Sequence, residues 1–236
     1  MPPFKGVVFD LDDTLYLERD YVRSGFRHVA TEVARLCDLS EESTFSFLWN
    51  QFVNGFRGNV FDLLQEKYEE VHQHFDKASL INLYRSHSPV IEMPNAVRRL
   101  LSLLQVRGCQ TAIISDGDAA RQQAKVAALS LNKLFDPIIL TDTWGSAFWK
   151  PHPRGYLAVM DAWQLKPADF VFIADNPAKD FVTPKRLRWT TIRLRVPGQL
   201  HFEIEPQSQD LAPEIEVRSY DELSNLLLLK SDVARN

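Results

Sequence analysis

One strand-like run stands far from all the others. Val7, Val8 and Phe9 form a short β-branched and aromatic stretch, too brief for a helix, that reads as a buried strand ending at Asp10. The next such run, Cys109 to Ser115, comes only after a long helical interval. Three more follow, at Pro137 to Asp142, Asp169 to Asp175 and Thr190 to Val196. Amphipathic stretches separate them, near Ala119 to Leu129, Arg154 to Trp163 and Ala178 to Leu187. Strands alternating with helices of this length predict βαβ units and a mostly parallel sheet.

The interval after the first strand follows a different rule. Phe26, Val29, Ala30, Val33, Ala34 and Cys37 keep helical spacing, as do Val60, Phe61, Leu64, Tyr68, Val71 and Phe75. No strand-like alternation interrupts them, so an all-helical block over residues 16–89 is inserted into an α/β core made of residues 1–15 and 90–236. The core resumes with a helix near Pro94, carrying Val97, Leu100, Leu101 and Leu104 on one face and Gly108 just past its end. Pro197 to Pro213 is polar and irregular and reads as a surface loop. Ser219 then caps a closing helix with Leu223, Leu226 and Leu227 on its apolar side.

Composition excludes several functions. A net charge of −4 gives no bulk attraction to nucleic acid polymers or anionic membranes. The aliphatic run at Leu226 to Leu229 is far too short to span a bilayer. Two distant cysteines, Cys37 and Cys109, build neither a disulfide framework nor a zinc site and fit a reducing compartment. With no signal-like leader, the expectation is a cytoplasmic protein of unspecified oligomeric state.

The stretch KGVVFDLDDTL places Asp10, Asp12 and Asp13 directly after the first strand. Like charges this close repel and raise one another's pKa, so the arrangement calls for a cation or a phosphate chemistry. Ligands of parallel α/β sheets bind beyond the carboxyl ends of the strands. Those ends deliver Asp10 and Asp12, then Ser115, Asp116 and Gly117, then Lys150 in a loop, then Asp175, Asn176 and Asp180.

In order, FDLDDTL, IISDG, WKPHPRGY and FIADNPAKDF resemble the four motifs of the haloacid dehalogenase-like hydrolases, with the helical block where that superfamily inserts a helical cap. The resemblance implies a Rossmann-like parallel sheet with helices on both faces. It implies that Asp10 is a nucleophile taking up a phosphoryl group, and that Asp12 is the acid and then the base. Mg²⁺ would be held by the Asp10 carboxylate, the Asp12 backbone carbonyl and Asp175, supported by Asp180 and Asn176. Ser115, Asp116 and Gly117 would receive the phosphoryl oxygens, and Lys150 would offset their charge. Ala174 stands where the family commonly has glycine, and Asp116 where asparagine is common.

The substrate implied is a small phosphorylated metabolite, a nucleoside monophosphate or a sugar phosphate, since the motifs look most like those of pyrimidine 5′-nucleotidases and related phosphatases. Haloalkanoate dehalogenases of the superfamily lack an acid two residues after the nucleophile, so Asp12 speaks against that activity. Phosphonate-cleaving relatives also lack it and use a cap lysine, a pattern that Lys67 and Lys77 do not match. A phosphomutase and a non-catalytic binding module remain as alternatives. Arg23, His28 and Arg57 are candidate contacts from the helical block, against the plainer reading of Arg57 as a surface arginine. His72 and His74, two apart on a helix, do not face each other and read as solvated. Trp144, Phe148 and Trp149 read as loop packing or as a pocket wall.

Overall fold

The computed structural model describes residues 4–228. Two compact units make up the chain: Arg19–Ile91 form one, and the residues up to Glu18 and from Glu92 onward form the other.

The larger unit holds six parallel strands, β1 (Gly6–Phe9), β2 (Gln110–Ser115), β3 (Ile138–Leu140), β4 (Phe170–Ala174), β5 (Thr190–Leu194) and β6 (Ile215–Val217). They lie in the order β3-β2-β1-β4-β5-β6. β1 pairs with β2 on one side and β4 on the other, with Phe9 opposite Ile113 and Ile173. Strand order reverses there, and connections leaving the carboxyl ends of β1, β2 and β4 splay apart to leave a crevice. β6 extends the sheet through Ile192–Ile215 and Leu194–Val217. Its three residues were not legible as a strand, because the run is short and follows a polar loop.

β4 is buried along its whole length. Phe170 stacks on Trp189 with ring centroids 4.4 Å apart, and Tyr156 meets both Phe172 and Trp189 edge-on. These rings, with Val8, Ala112 and Ile114, form an apolar floor beneath the strand ends.

The smaller unit contains α1 (Glu18–Leu36) from Arg19 onward, α2 (Glu41–Val53), α3 (Val60–Lys67), α4 (Glu69–His74) and α5 (Lys77–Ser86). Its core joins Val29, Val33, Leu48, Leu64, Val71 and Leu80, all fully buried. The single helical period expected from Val60 to Phe75 breaks between α3 and α4, where Tyr68 takes an extended backbone. Ser40 and Asp76 cap α2 and α5 through the amides of Ser43 and Ser79.

The helices of the larger unit are α6 (Asn95–Val106), α7 (Ala119–Ala128), α8 (Arg154–Trp163), α9 (Val182–Arg186) and α10 (Tyr220–Leu228). Asp118 caps α7 and Ser219 caps α10. Leu229 lies outside the described residues. The helix expected over Ala178 to Leu187 is shorter, because Asn176 and Asp180 capture the backbone ahead of it. Asn176 Oδ1 accepts from the Ala178 amide at 3.0 Å, and Asp180 Oδ2 accepts from the Asn176 amide at 3.3 Å. Such local bonds compete with helix formation. Among the described residues, no helix is long and apolar enough to cross a membrane.

Candidate active site

The three acids after β1 point to three different sets of partners. Asp10 accepts from Lys150 Nζ at 2.5 Å, while its amide donates to the Ile173 carbonyl of β4 at 2.8 Å. Asp12 receives Lys125 Nζ at 2.8 and 2.9 Å, Gln122 Nε2 at 2.8 Å and the Tyr16 hydroxyl. Asp13 adopts a left-handed backbone with φ 55°. Its carboxylate accepts from the amides of Glu18 and Leu200, at 2.7 and 2.6 Å. The repulsion expected of the three acids is therefore divided among separate donors.

A cavity of about 170 Å³ opens at the carboxyl ends of the strands. Asp10, Asp12, Ser115, Asp116, Gly117, Asp175 and Asn176 all line it. Lys150 and Asp180 lie just behind this lining, and Lys150 Nζ is 2.9 Å from Asp180 Oδ1. All nine residues expected from the sequence thus meet at one edge of the sheet. Gly117 has φ +108°, a backbone that favours glycine and frees the turn after β2 to lie along the cavity.

Asp116 adds no loose charge. Its Oδ1 accepts from the Lys150 amide at 3.0 Å and the Thr141 hydroxyl at 2.8 Å, and its Oδ2 accepts from Lys179 Nζ at 2.7 Å. Burial pushes its carboxyl up, but Lys150 and Lys179 reverse this and hold it below the ordinary value. The side chain at 116 is therefore an acid balanced by a lysine.

Burial drives Asp10 to a pKa of about 8, with Lys150 opposing and Asp180 reinforcing the rise. Burial also raises Asp175, against the hydrogen bond from His201. Asp12 goes the other way: burial lifts it, but Lys125, Tyr16 and Gln122 together bring it below its usual value. The acid beside the strand end and the acid two residues on are thus shifted in opposite directions.

Asp10, Asp175 and Asp180 each offer a carboxylate oxygen within 4.8 Å of the others. Three hard oxygen donors in one buried cluster fit a divalent cation, which would offset the crowding that raises Asp10 and Asp175. His201 Nδ1 lies 2.9 Å from Asp175 Oδ2 and orients one of these donors. Arg193, fully buried on β5, donates to the backbone carbonyls of Asp175 and His201, both at 3.0 Å.

Several of these residues were not singled out from the sequence. Gln122 and Lys125 lie three apart on α7, a spacing that places them on one face, but nothing marked that face as pointing at Asp12. Lys179 sits inside the fourth motif, masked by its acidic neighbours. Glu18 and His201 also line the cavity. His201 belongs to the polar tail read as a surface loop, whose first turns are instead tied to the acids by Gln199, Leu200 and His201.

Trp149 is part of the cavity wall, and its indole donates to Asp142 at 2.9 Å. Trp144 and Phe148 pack against the Arg154 guanidinium, as loop packing predicts. In the helical unit, Arg57 is exposed beside Phe52, Arg23 lies over Trp49, and His28 stacks near His87. His72 and His74 are exposed.

A family model described as haloacid dehalogenase-like hydrolase matches residues 4–186, which carry β1 and every acid of the cluster. The chain belongs to this family. A glyceraldehyde 3-phosphate phosphatase of Methanopyrus kandleri is 25% identical to the hydrolase over 232 residues, covering 94% of this chain and 97% of that one. An (S)-2-haloacid dehalogenase of a Pseudomonas species is 24% identical, covering 97% and 98%. Among solved structures, a putative hydrolase of the family from Bacillus subtilis, bound to magnesium, superposes with a TM-score of 0.63 at 18% identity, covering 95% of this chain and 98% of that one. The expected family, the Rossmann-like α/β core and a phosphatase-type hydrolase are borne out by these likenesses together with the parallel sheet.

Proposed function

We propose that this hydrolase is a Mg²⁺-dependent phosphatase of a small phosphorylated metabolite, working through a phosphoryl group carried on Asp10. The observation that carries the reading is that Asp10 and Asp12 line one cavity, each anchored by its own set of donors. Lys150 holds Asp10 from behind, and four donor contacts from Tyr16, Gln122 and Lys125 hold Asp12. Ser115 and the turn at Gly117 complete the same wall.

In the first step an Asp10 oxygen attacks phosphorus and the bond to the leaving oxygen breaks, that oxygen taking a proton through Asp12. In the second, water attacks the phosphorus, gives a proton back to Asp12 and releases the Asp10 carboxylate. Ser115 and neighbouring amides receive the phosphoryl oxygens, and Lys150 offsets charge beside Asp10. Asp10 and Asp175 would hold Mg²⁺, with the Asp12 carbonyl as a further ligand and Asp180 and Asn176 supporting the set. The ion supplies charge neutralisation for the phosphate oxygens.

Asp12 also weighs against the activity of the dehalogenase relatives, because displacement of halide leaves nothing to protonate. The phosphatase-named relatives favour a phosphorylated triose or similar sugar over the nucleoside monophosphate that the motifs alone brought forward. The helical unit, Arg19–Ile91, is proposed to act as the family's cap and to select among such substrates.

The test is Mg²⁺-dependent phosphate release from an aryl phosphate, triose and other sugar phosphates and nucleoside monophosphates. Turnover that chelator stops and that both Asp10→Asn and Asp12→Asn abolish on sugar phosphates supports the reading. A wild-type protein as silent as its variants across metals and substrates overturns it.

A further inference from the structure

Five carboxylates line the cavity at the strand ends, those of Asp10, Asp12, Glu18, Asp116 and Asp175. Among the described residues, Lys179 is the one lysine or arginine that lines it with them. A phosphate ester brings further negative charge into that space, and the other cations nearby are already committed. The Lys150 side chain is wholly buried between Asp10 and Asp180. Lys125 is buried and spans both oxygens of Asp12. Arg193, also buried, is bonded to backbone carbonyls.

Lys179 is placed differently. Its side chain is 35% exposed, yet Nζ is anchored 2.7 Å from Oδ2 of Asp116, whose own side chain is 5% exposed. Asp116 is fixed in turn by the Lys150 amide at 3.0 Å and the Thr141 hydroxyl at 2.8 Å. It stands between Ser115 and Gly117, in the turn after β2. An ammonium carries three hydrogens, and Asp116 accepts one of them. A flexible stem held in advance by a buried acid loses little further freedom when an anion arrives.

We propose that Lys179 is a substrate-binding residue, its ammonium pinned by Asp116 so that it donates to the phosphoryl oxygens at the turn of Ser115 and Gly117. This rests on the phosphatase reading, in which that turn receives the phosphoryl group. Lys150 acts on Asp10 from behind, whereas Lys179 meets the anion at the cavity surface. Lys179 follows β4 and its anchor follows β2, so the phosphate is clamped between two strand ends. The contact is to the phosphate itself and serves any ester of the class, whatever its alcohol.

A plainer role for Lys179 is to neutralise Asp116, and removing both charges separates the two. Lys179→Met leaves the Asp116 carboxylate bare beside the phosphate. Lys179→Met combined with Asp116→Asn leaves a neutral pair. The Kd of inorganic phosphate is read by calorimetry on the Mg²⁺-saturated protein, with thermal melts to confirm that each variant is folded.

Phosphate is expected to bind both variants about tenfold or more weakly than wild type, the worth of one hydrogen bond between charged partners. If the single variant does not fold, the double variant, which strands no buried charge, carries the test alone. Wild-type affinity in the double variant shows that Lys179 only balances Asp116 and overturns the proposal, as does wild-type affinity in the single variant. If wild type turns over phosphate esters yet binds no phosphate, the contact is lost and the phosphatase reading stands. If it neither turns over esters nor binds phosphate, the phosphatase reading has failed and the proposal with it.

Discussion

Lys150 Nζ lies 2.5 Å from Asp10 Oδ1 and 2.9 Å from Asp180 Oδ1, with the lysine side chain wholly buried between the two acids. Removing one member of such a group strands the others without water. Lys150→Met is expected to destabilise the protein by about 3–5 kcal/mol. Chemical denaturation checks this, and a loss under about 1 kcal/mol would show that the acids find other partners.

The crowded carboxylates also predict how a cation acts on stability. A ligand that binds only the folded state stabilises it by about 2.7 kcal/mol at a hundredfold excess over Kd. Thermal melts should therefore shift upward with Mg²⁺ in the wild type. The shift should vanish in Asp175→Asn, which removes a charged oxygen from the Asp10–Asp175–Asp180 cluster. An equal shift in the variant would place the ion elsewhere.

Asp116 should report on acid. Its carboxyl is held below its ordinary value in the folded protein, so the unfolded chain takes up a proton first as pH falls. The stability it contributes is full above an unfolded pKa of roughly 4 and is lost as pH drops through the lower folded value. Asp116→Asn should cost about 1.5–3 kcal/mol at neutral pH, with the gap to wild type closing on acidification. Denaturant midpoints of both proteins, taken from pH 7 down to pH 3, make the comparison, and a gap that widens toward acid would contradict the sign.

In the helical unit, a β-carbon at Gly25 would sit 2.5 Å from two ring atoms of Tyr84. That ring is locked among Tyr21, Phe26 and Phe61. Gly25→Ala should therefore cost about 1–3 kcal/mol through overpacking. Gly58→Ala, with open space around the added carbon, should stay within about 0.5 kcal/mol. Similar melting of the two variants would mean that α1 shifts freely away from Tyr84.

The strand ends were readable from the sequence because a buried parallel strand needs a short apolar run and its carboxyl end needs polar residues. Asp10, Ser115 and Asp175 are found that way, and Lys150 by motif order. Gln122, Lys125 and His201 were not, because each earns its place through a partner far along the chain. β6 escaped for a related reason: pairing with β5, rather than its own three residues, makes it a strand. The shortened α9 was missed because hydrophobic period says nothing of side chains such as Asn176 and Asp180 that bond the backbone ahead of it.

The three acids that share one turn after β1 reach across 140, 113 and 187 residues to Lys150, Lys125 and Leu200. Contacts that close such long loops form late on the way to the native state, because their entropy cost precedes their reward. The turn is thus a meeting point that exists only once most of the sheet is in place. Substitutions at Asp10 or Asp12 that alter stability should therefore appear in the unfolding rate and leave the refolding rate nearly unchanged. A nascent chain, on this account, can complete the partners of all three acids only once synthesis has passed residue 200, and gains its reactive centre in one of the last events of folding.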